Sequence, residues 1–207
     1  MKTIIKNVKI ITMDSNMNEI ENGFIIIDGE KINSIGSMDE YKHIQDGKII
    51  DGNGGILMPG MINTHTHLSM IPFRSLGDDC KDRLRRYLFP LENECMNKQL
   101  AYYSAKYAIC EMLLSGVTTI MDMYYFEDEV AKAVEEMGIR AFLGETVINF
   151  PTCDSKEAFG GLEYAEKFIK KWKDHPLITP FIAPHAPNTN NTDSLIKANL
   201  ISKKYNV

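Results

Sequence analysis

The residues with the clearest chemical potential are His65 and His67, separated by Thr66 at the end of the apolar run Leu57-Met58-Pro59-Gly60-Met61-Ile62. In a strand, residues i and i+2 point to the same face, so the two imidazoles converge on one point. Two neutral imidazoles are the start of a divalent-metal site, and only the start, because a hydrolytic metal needs more ligands than two. A bare His-x-His is common, and its setting narrows the reading. Pro59-Gly60 makes a tight entry, and the run is apolar enough to be buried on both faces, as strands of parallel sheets are. Polar residues at the C-terminal end of a parallel barrel strand are placed for chemistry rather than stability. Glu92 follows Leu88-Phe89-Pro90-Leu91, and His185 lies between Ala183-Pro184 and Ala186-Pro187. Read alone, Glu92 is a solvated residue of a loop or first helical turn, and His185 a strand-end histidine satisfied by a backbone carbonyl. Asp122, at the end of another apolar run, reads as a buried structural acid before a catalytic one.

The elements that must position these residues fall into two parts. Residues 1–56 read as short strands: Thr3 to Met13, Phe24 to Ile27 after the turn pair Asn22-Gly23, Lys31 to Ile35 after the turn pair Asp28-Gly29, and Lys48 to Asp51. Residues 57–207 alternate strands and helices, the mark of an α/β fold with a parallel sheet. The first strand, Ile56 to Thr64, carries the histidines at its end, and a long connection over 68–97 follows. Asn97 caps a helix from Lys98 to Ser115, whose 3.6-residue period picks out Leu100, Tyr103, Ala108, Met112 and Leu113. Then come a strand Thr118 to Tyr124, a helix Glu127 to Met137 stopped by Gly138, and a strand Arg140 to Ile148. A helix Leu162 to Lys173, a strand Ile178 to Ala183 and a helix Thr192 to Lys204 complete four β/α units. A (β/α)8 barrel needs eight strands, so the count gives half of one.

Met58-Pro59-Gly60-Met61-Ile62-Asn63-Thr64-His65-Thr66-His67 resembles the first-strand signature of the amidohydrolase superfamily. The closest branch holds the 5-methylthioadenosine/S-adenosylhomocysteine deaminases and chlorohydrolase-like enzymes. The likeness returns at Phe89-Pro90-Leu91-Glu92, Gly116-Val117-Thr118-Thr119 with Met121-Asp122-Met123-Tyr124, Gly138-Ile139-Arg140-Ala141 and Ala183-Pro184-His185-Ala186-Pro187. It implies the first half of a metal-dependent-hydrolase TIM-type barrel, over 57–207, preceded by the N-terminal part of a small β-sandwich over 1–56. It implies hydrolytic deamination of an aminopurine nucleoside, with ammonia released, around one divalent metal: Zn2+, with Fe2+ as the alternative. His65 and His67 match the first two ligands. Glu92 matches the glutamate that accepts from ribose hydroxyls, a role suited to a group that only accepts. His185 matches the histidine that contacts the purine ring. The third histidine ligand, the metal-binding aspartate, the proton-shuttling glutamate and the second catalytic histidine of the family are expected beyond residue 207, so the chain is expected to be a fragment. The alternatives are a non-catalytic remnant or one subunit of a split enzyme, and another superfamily member such as a chlorohydrolase or a guanine or cytosine deaminase. The strand 178–183 has no lysine, which disfavours the dihydroorotase-like branch.

The match departs from the family at the arginines that clamp a homocysteine carboxylate. Gly144-Glu145-Thr146 stands where one belongs, and 149–161 has no arginine, so Glu145 is expected to repel such a carboxylate. That weighs against S-adenosylhomocysteine and leaves methylthioadenosine, 5′-deoxyadenosine or adenosine. A net charge of −5 argues against nucleic acid or an anionic membrane surface as partner. No apolar stretch is long enough to span a bilayer. The cysteines at 80, 95, 110 and 153 form no Cys-x-x-Cys, and the first residues lack a signal-peptide core, which together point to the cytoplasm. The partner is a small nucleoside, with a homo-oligomer or a complementing C-terminal half to close the barrel. Arg83, Arg85 and Arg86 beside Asp79 and Asp82 read as a solvated turn, His43 and His175 as surface residues, and Trp172 as packed on the sheet.

Overall fold

The computed structural model describes residues 2–42, 44 and 46–207, so His43 lies outside the described residues. The chain divides into two compact units, Met1–Gly60 and Met61–Val207.

The first unit is one five-stranded sheet made of β1 (Lys2–Ile11), β2 (Glu19–Asp28), β3 (Lys31–Ser37), β4 (Lys48–Asp51) and β5 (Ile56–Leu57). β1, β2 and β3 are antiparallel neighbours, while β4 and β5 run parallel to β1. The Asp28-Gly29 turn forms, with Gly29 at φ +60° and Asp28 opposite Lys31. Asn22-Gly23 is not a turn: Gly23 sits inside β2, opposite Val8 on one side and Ser37 on the other. Pairing on both edges outweighs the local turn preference, and the missing side chain makes room for Ile10, whose Cδ1 would lie 2.7 Å from an added Cβ. Ile4, Phe24 and Ile26 form the buried centre of this unit.

The second unit contains β6 (Met61–Thr66), α1 (Phe89–Cys95), α2 (Lys98–Leu114), β7 (Val117–Tyr124), α3 (Glu127–Met137), β8 (Arg140–Val147), α4 (Gly161–Trp172), β9 (Ile178–Pro184) and α5 (Thr192–Tyr205). Its sheet is parallel throughout, in the order β6-β7-β8-β9. This is the first half of a (β/α)8 barrel. Local sequence explains the helix limits. Asn97 accepts from Leu100 N (3.0 Å) to start α2, Asn191 and Ser194 cap each other at the start of α5, and Gly138 ends α3 at φ +74°. The core lies between helices and sheet, where Ile109, Ile120, Val130, Leu143 and Ile178 are fully or almost fully buried, and Trp172 packs with them.

Four sequence expectations change here. The strand expected over 56–64 is two strands: β5 pairs with β1, β6 pairs with β7, and Met58-Pro59-Gly60 separates them. Proline has no N–H to give a ladder, which ends β5. β6 is also not buried on both faces: Ile62 is 66% exposed, because β6 is an outer strand of the described sheet. The connection over 68–97 is largely helical, with a 3-10 turn at Leu68–Phe73 and a wide π turn at Leu84–Leu88 that runs into α1. On α2 the buried side is Ala101, Ser104, Ala105, Ala108 and Ile109, while Tyr103 and Leu113 are exposed. Small residues let α2 approach its neighbours closely, and size decides the face more than hydrophobicity does.

Candidate active site

The end of β6 is irregular, and that irregularity aims the histidines. Between Asn63↔Ile120 and Thr66↔Asp122 the pairing advances three residues on β6 and two on β7, which is a bulge. Asn63 Oδ1 accepts from His65 N (3.2 Å) inside the bulge. The His65 and His67 rings lie 5.2 Å apart, edge to face. His67 Nδ1 is 2.6 Å from Met123 O. A carbonyl only accepts, so Nδ1 carries the proton and Nε2 keeps its lone pair free. That is the arrangement of a metal-ligating histidine whose second nitrogen is held by the protein. The two imidazoles therefore fit a divalent metal, but as part of a ligand set: among the described residues no cluster of three or more His, Cys, Asp or Glu could hold an ion.

Glu92 is on α1 and only 4% exposed, not on a solvated turn. Burial raises its pKa, while the Tyr124 hydroxyl, which donates to Oε1 at 2.8 Å, opposes the rise. Burial and the adjacent Glu92 in turn push the Tyr124 phenol up, so it stays protonated and is the donor of the pair. No protein donor among the described residues reaches Glu92 Oε2, which leaves that oxygen for a ligand.

His185 follows β9. Its backbone N donates to Val147 O (3.0 Å), and its Nδ1 is 3.0 Å from Thr189 Oγ1, which donates its own proton to Ala186 O (3.2 Å). Thr189 can then only accept from Nδ1, so His185 also presents a bare Nε2. Burial first, and His67 second, hold its pKa below the usual imidazole value, so the ring is neutral at pH 7. Phe89 stands edge-on to it at 6.1 Å.

His67, Glu92 and His185 line one cavity of about 110 Å³, together with Tyr124 and Thr146. His65 lines a second and larger cleft, which also takes in His67. Sequence reasoning missed Tyr124, and it also missed the Met123 carbonyl; a strand-end tyrosine next to a motif acid was the only signal for the first, and backbone carbonyls leave none.

Glu145 does not stand where the sequence placed it. Alternation along β8 turns Phe142, Gly144 and Thr146 to the cavity side, and Leu143, Glu145 and Val147 to the helices, where they are buried. Glu145 Oε2 accepts from Glu127 N (3.2 Å), and Asp154 Oδ2 accepts from Phe126 N (2.8 Å). Together they cap α3, whose N-cap Phe126 has no side chain able to do so. Burial, then Asp154 and Glu127, push the Glu145 carboxyl well above the usual range, so it is neutral and turned away from any ligand. The expected repulsion of a substrate carboxylate does not arise. Gly144 has no room for a side chain on the cavity side, because the Phe181 ring covers it: an added Cβ would come 2.4 Å from that ring. His175 is half-buried, 3.4 Å from Glu135, rather than fully at the surface. Arg85 pairs with Asp82 on the exposed side, as expected, while Arg83 is half-buried and pairs with Asp78 rather than Asp79.

A half-barrel with imidazoles at the C-terminal end of its first strand defines the class of the metal-dependent barrel hydrolases. The chain belongs to the amidohydrolase family, whose profile matches residues 56–207. It is 35% identical to 5-methylthioadenosine/S-adenosylhomocysteine deaminase 1 of Syntrophus aciditrophicus, over 99% of this chain and 47% of that protein. It is 38% identical to the 5′-deoxyadenosine deaminase of Methanocaldococcus jannaschii, over 88% of this chain and 44% of that protein. The chain thus spans about half the length of the curated relatives it matches. Among solved structures it superposes on a zinc-bound adenosine deaminase from Xanthomonas campestris with a TM-score of 0.86 at 22% identity, covering 99% of this chain and 47% of that one. A guanine deaminase from C. acetobutylicum gives 0.82 at 22% identity, covering 100% and 52%. These two likenesses bear on the fold. No helix among the described residues is long and apolar enough to cross a membrane.

Proposed function

We propose that this chain is the N-terminal half of a hydrolytic deaminase of an aminopurine nucleoside of the methylthioadenosine, 5′-deoxyadenosine or adenosine kind. Water replaces the exocyclic amine of the purine, and ammonia leaves. The observation that carries the reading is the meeting of His67, Glu92 and His185 at one cavity, although they are far apart in sequence. In this reading His65 and His67 are two ligands of one divalent metal, zinc before iron. A bound metal of this kind supplies Lewis-acid polarisation and nucleophilic water at neutral pH. The chain's own residues do the rest of what it can do. His67 is held in one tautomer by Met123 O. Glu92, its Oε1 already occupied by Tyr124, accepts from a ribose hydroxyl through Oε2. His185, neutral and with a bare Nε2, accepts from a donor on the purine.

The general acid and base and the remaining ligands belong to residues outside these 207. A complementing half, or a second copy, would close the barrel against β6 and β9. The isolated chain is therefore expected to self-associate, and a monodisperse monomer in light scattering would refute that. S-adenosylhomocysteine remains the less supported substrate, now only because 149–161 supplies no arginine. A cytoplasmic setting belongs to the same proposal, since Cys80, Cys95, Cys110 and Cys153 are all free thiols.

The test joins this chain to the C-terminal half of the Syntrophus aciditrophicus relative and follows ammonia release. Methylthioadenosine, 5′-deoxyadenosine and adenosine are the expected substrates. Turnover of guanine or cytosine, with the nucleosides inert, would replace this reading with that of a base deaminase.

A further inference from the structure

Asp122 lies outside the cavity, yet it governs the three residues around the second histidine. Thr66 Oγ1 donates to Asp122 Oδ1 at 2.5 Å, and Leu68 N donates to the same oxygen at 2.7 Å. Between those two bonds, His67 Nδ1 donates to the carbonyl of Met123, the next residue after Asp122, at 2.6 Å. Thr66 Oγ1 also lies 2.9 Å from Met121 O, so three adjacent residues of β7 hold three consecutive residues at the end of β6, just past the bulge. Asp122 is fully buried, as is Glu127 behind it. Asp122 Oδ2 and both Glu127 carboxyl oxygens have no donor among the described residues. Two buried acids facing each other are accommodated when one keeps its proton and donates it to the other. Asp122 then remains an acceptor for Thr66 and Leu68.

We propose that Asp122 is a positioning residue for the metal site, fixing His67 as the Nδ1–H tautomer with Nε2 aimed at the ion. This rests on the metal reading of His67. The alternative is that Asp122 merely satisfies two buried donors, with no effect on the imidazole.

The two are separated on the full 207-residue chain labelled with 15N-histidine, using two-bond 1H–15N correlations at a pH where the ring is neutral. The wild-type chain is expected to show His67 in the Nδ1–H form alone. Asp122→Asn keeps an oxygen for Thr66 and Leu68 and turns its amide to Glu127, so it should preserve that form. Asp122→Ala should admit the Nε2–H tautomer. Thr66→Val, which removes one tether and leaves Asp122 in place, should do so to a smaller degree, and it decides the matter if Asp122→Ala does not fold. Zinc titration gives the second readout: apparent affinity should fall about 10–100-fold in Asp122→Ala, as for partners of metal-bound histidines elsewhere, and stay near wild type in Asp122→Asn. A wild-type His67 in the Nε2–H form would overturn the proposal. So would Asp122→Ala and Thr66→Val spectra identical to wild type, or Asp122→Asn as harmful as Asp122→Ala. If zinc fails to bind even the wild-type chain, whose two histidines are only part of a ligand set, the tautomer result alone decides the role of Asp122.

Discussion

The two faces of the parallel sheet were built to different ends. On the helix side, Ile120, Asp122, Ala141, Leu143 and Glu145 are all fully buried. On the cavity side, Met121 is 40% exposed and Phe142 37%, one residue away from fully buried neighbours. The helix side is finished by this chain alone, and it even hides acids. The cavity side carries the imidazoles and is left more open. Stability and chemistry are thus segregated by the alternation of the strand, and in the proposal above one buried acid of the stable face, Asp122, positions His67 on the other.

The largest effect expected from this contrast is in adjacent residues of β8. Leu143→Ala should cost about 2–5 kcal/mol in denaturant unfolding, as a buried Leu does. Phe142→Ala should cost well under half of that, although the deleted side chain is larger. Equal losses would mean that the cavity side is already covered, and the comparison would break. Asp154→Ala comes next: it strips the acceptor from Phe126 N at the start of α3 and should cost about 1–2 kcal/mol. Glu145→Gln sharpens the contrast in the other direction. Its carboxyl is raised by burial in the fold, so the unfolded chain releases that proton first as pH rises above the usual carboxylate value. The acid therefore weakens the fold at pH 7. The glutamine should raise the Tm there by about 2–4 °C, with the gain shrinking as pH falls to 4. A Tm lowered at pH 7 would show that the proton is not held. Glu166 should give the smallest effect. Lys204, Tyr205 and Lys170 hold its carboxyl down to about 2, so its help is present above the usual carboxylate value and lost as pH falls toward 2. The partner lysines are exposed and the pair is open to solvent, so Glu166→Gln should change the Tm slightly at low salt and not at about 1 M salt.

Much of this was legible in the residues. Gly138, Asn97 and the β/α rhythm fix the elements because caps and periodicity are local signals. The motif at 58–67 singled out His65 and His67 as the candidate metal pair, and the motifs at 89–92 and 183–187 singled out Glu92 and His185, which the fold brings with His67 to one cavity. What stayed hidden depends on contacts between distant segments. The bulge at His65 needs the register with β7. Tyr124 needs the helix that brings Glu92 to it. The outward turn of Glu145 needs the phase of β8, and the fate of Asn22-Gly23 needs the strands on both its sides. Asp122 was visible as a structural acid, but its grip on Thr66 and Leu68 was not.

The claim that His65 and His67 hold the metal is tested most directly by zinc content. The measurement is zinc per chain in the joined protein, wild type beside His65→Ala and His67→Ala, all purified alike and shown to be folded. The account predicts near one zinc for the wild type and a small fraction of that for either variant. Equal zinc in all three would place the metal elsewhere and contradict it.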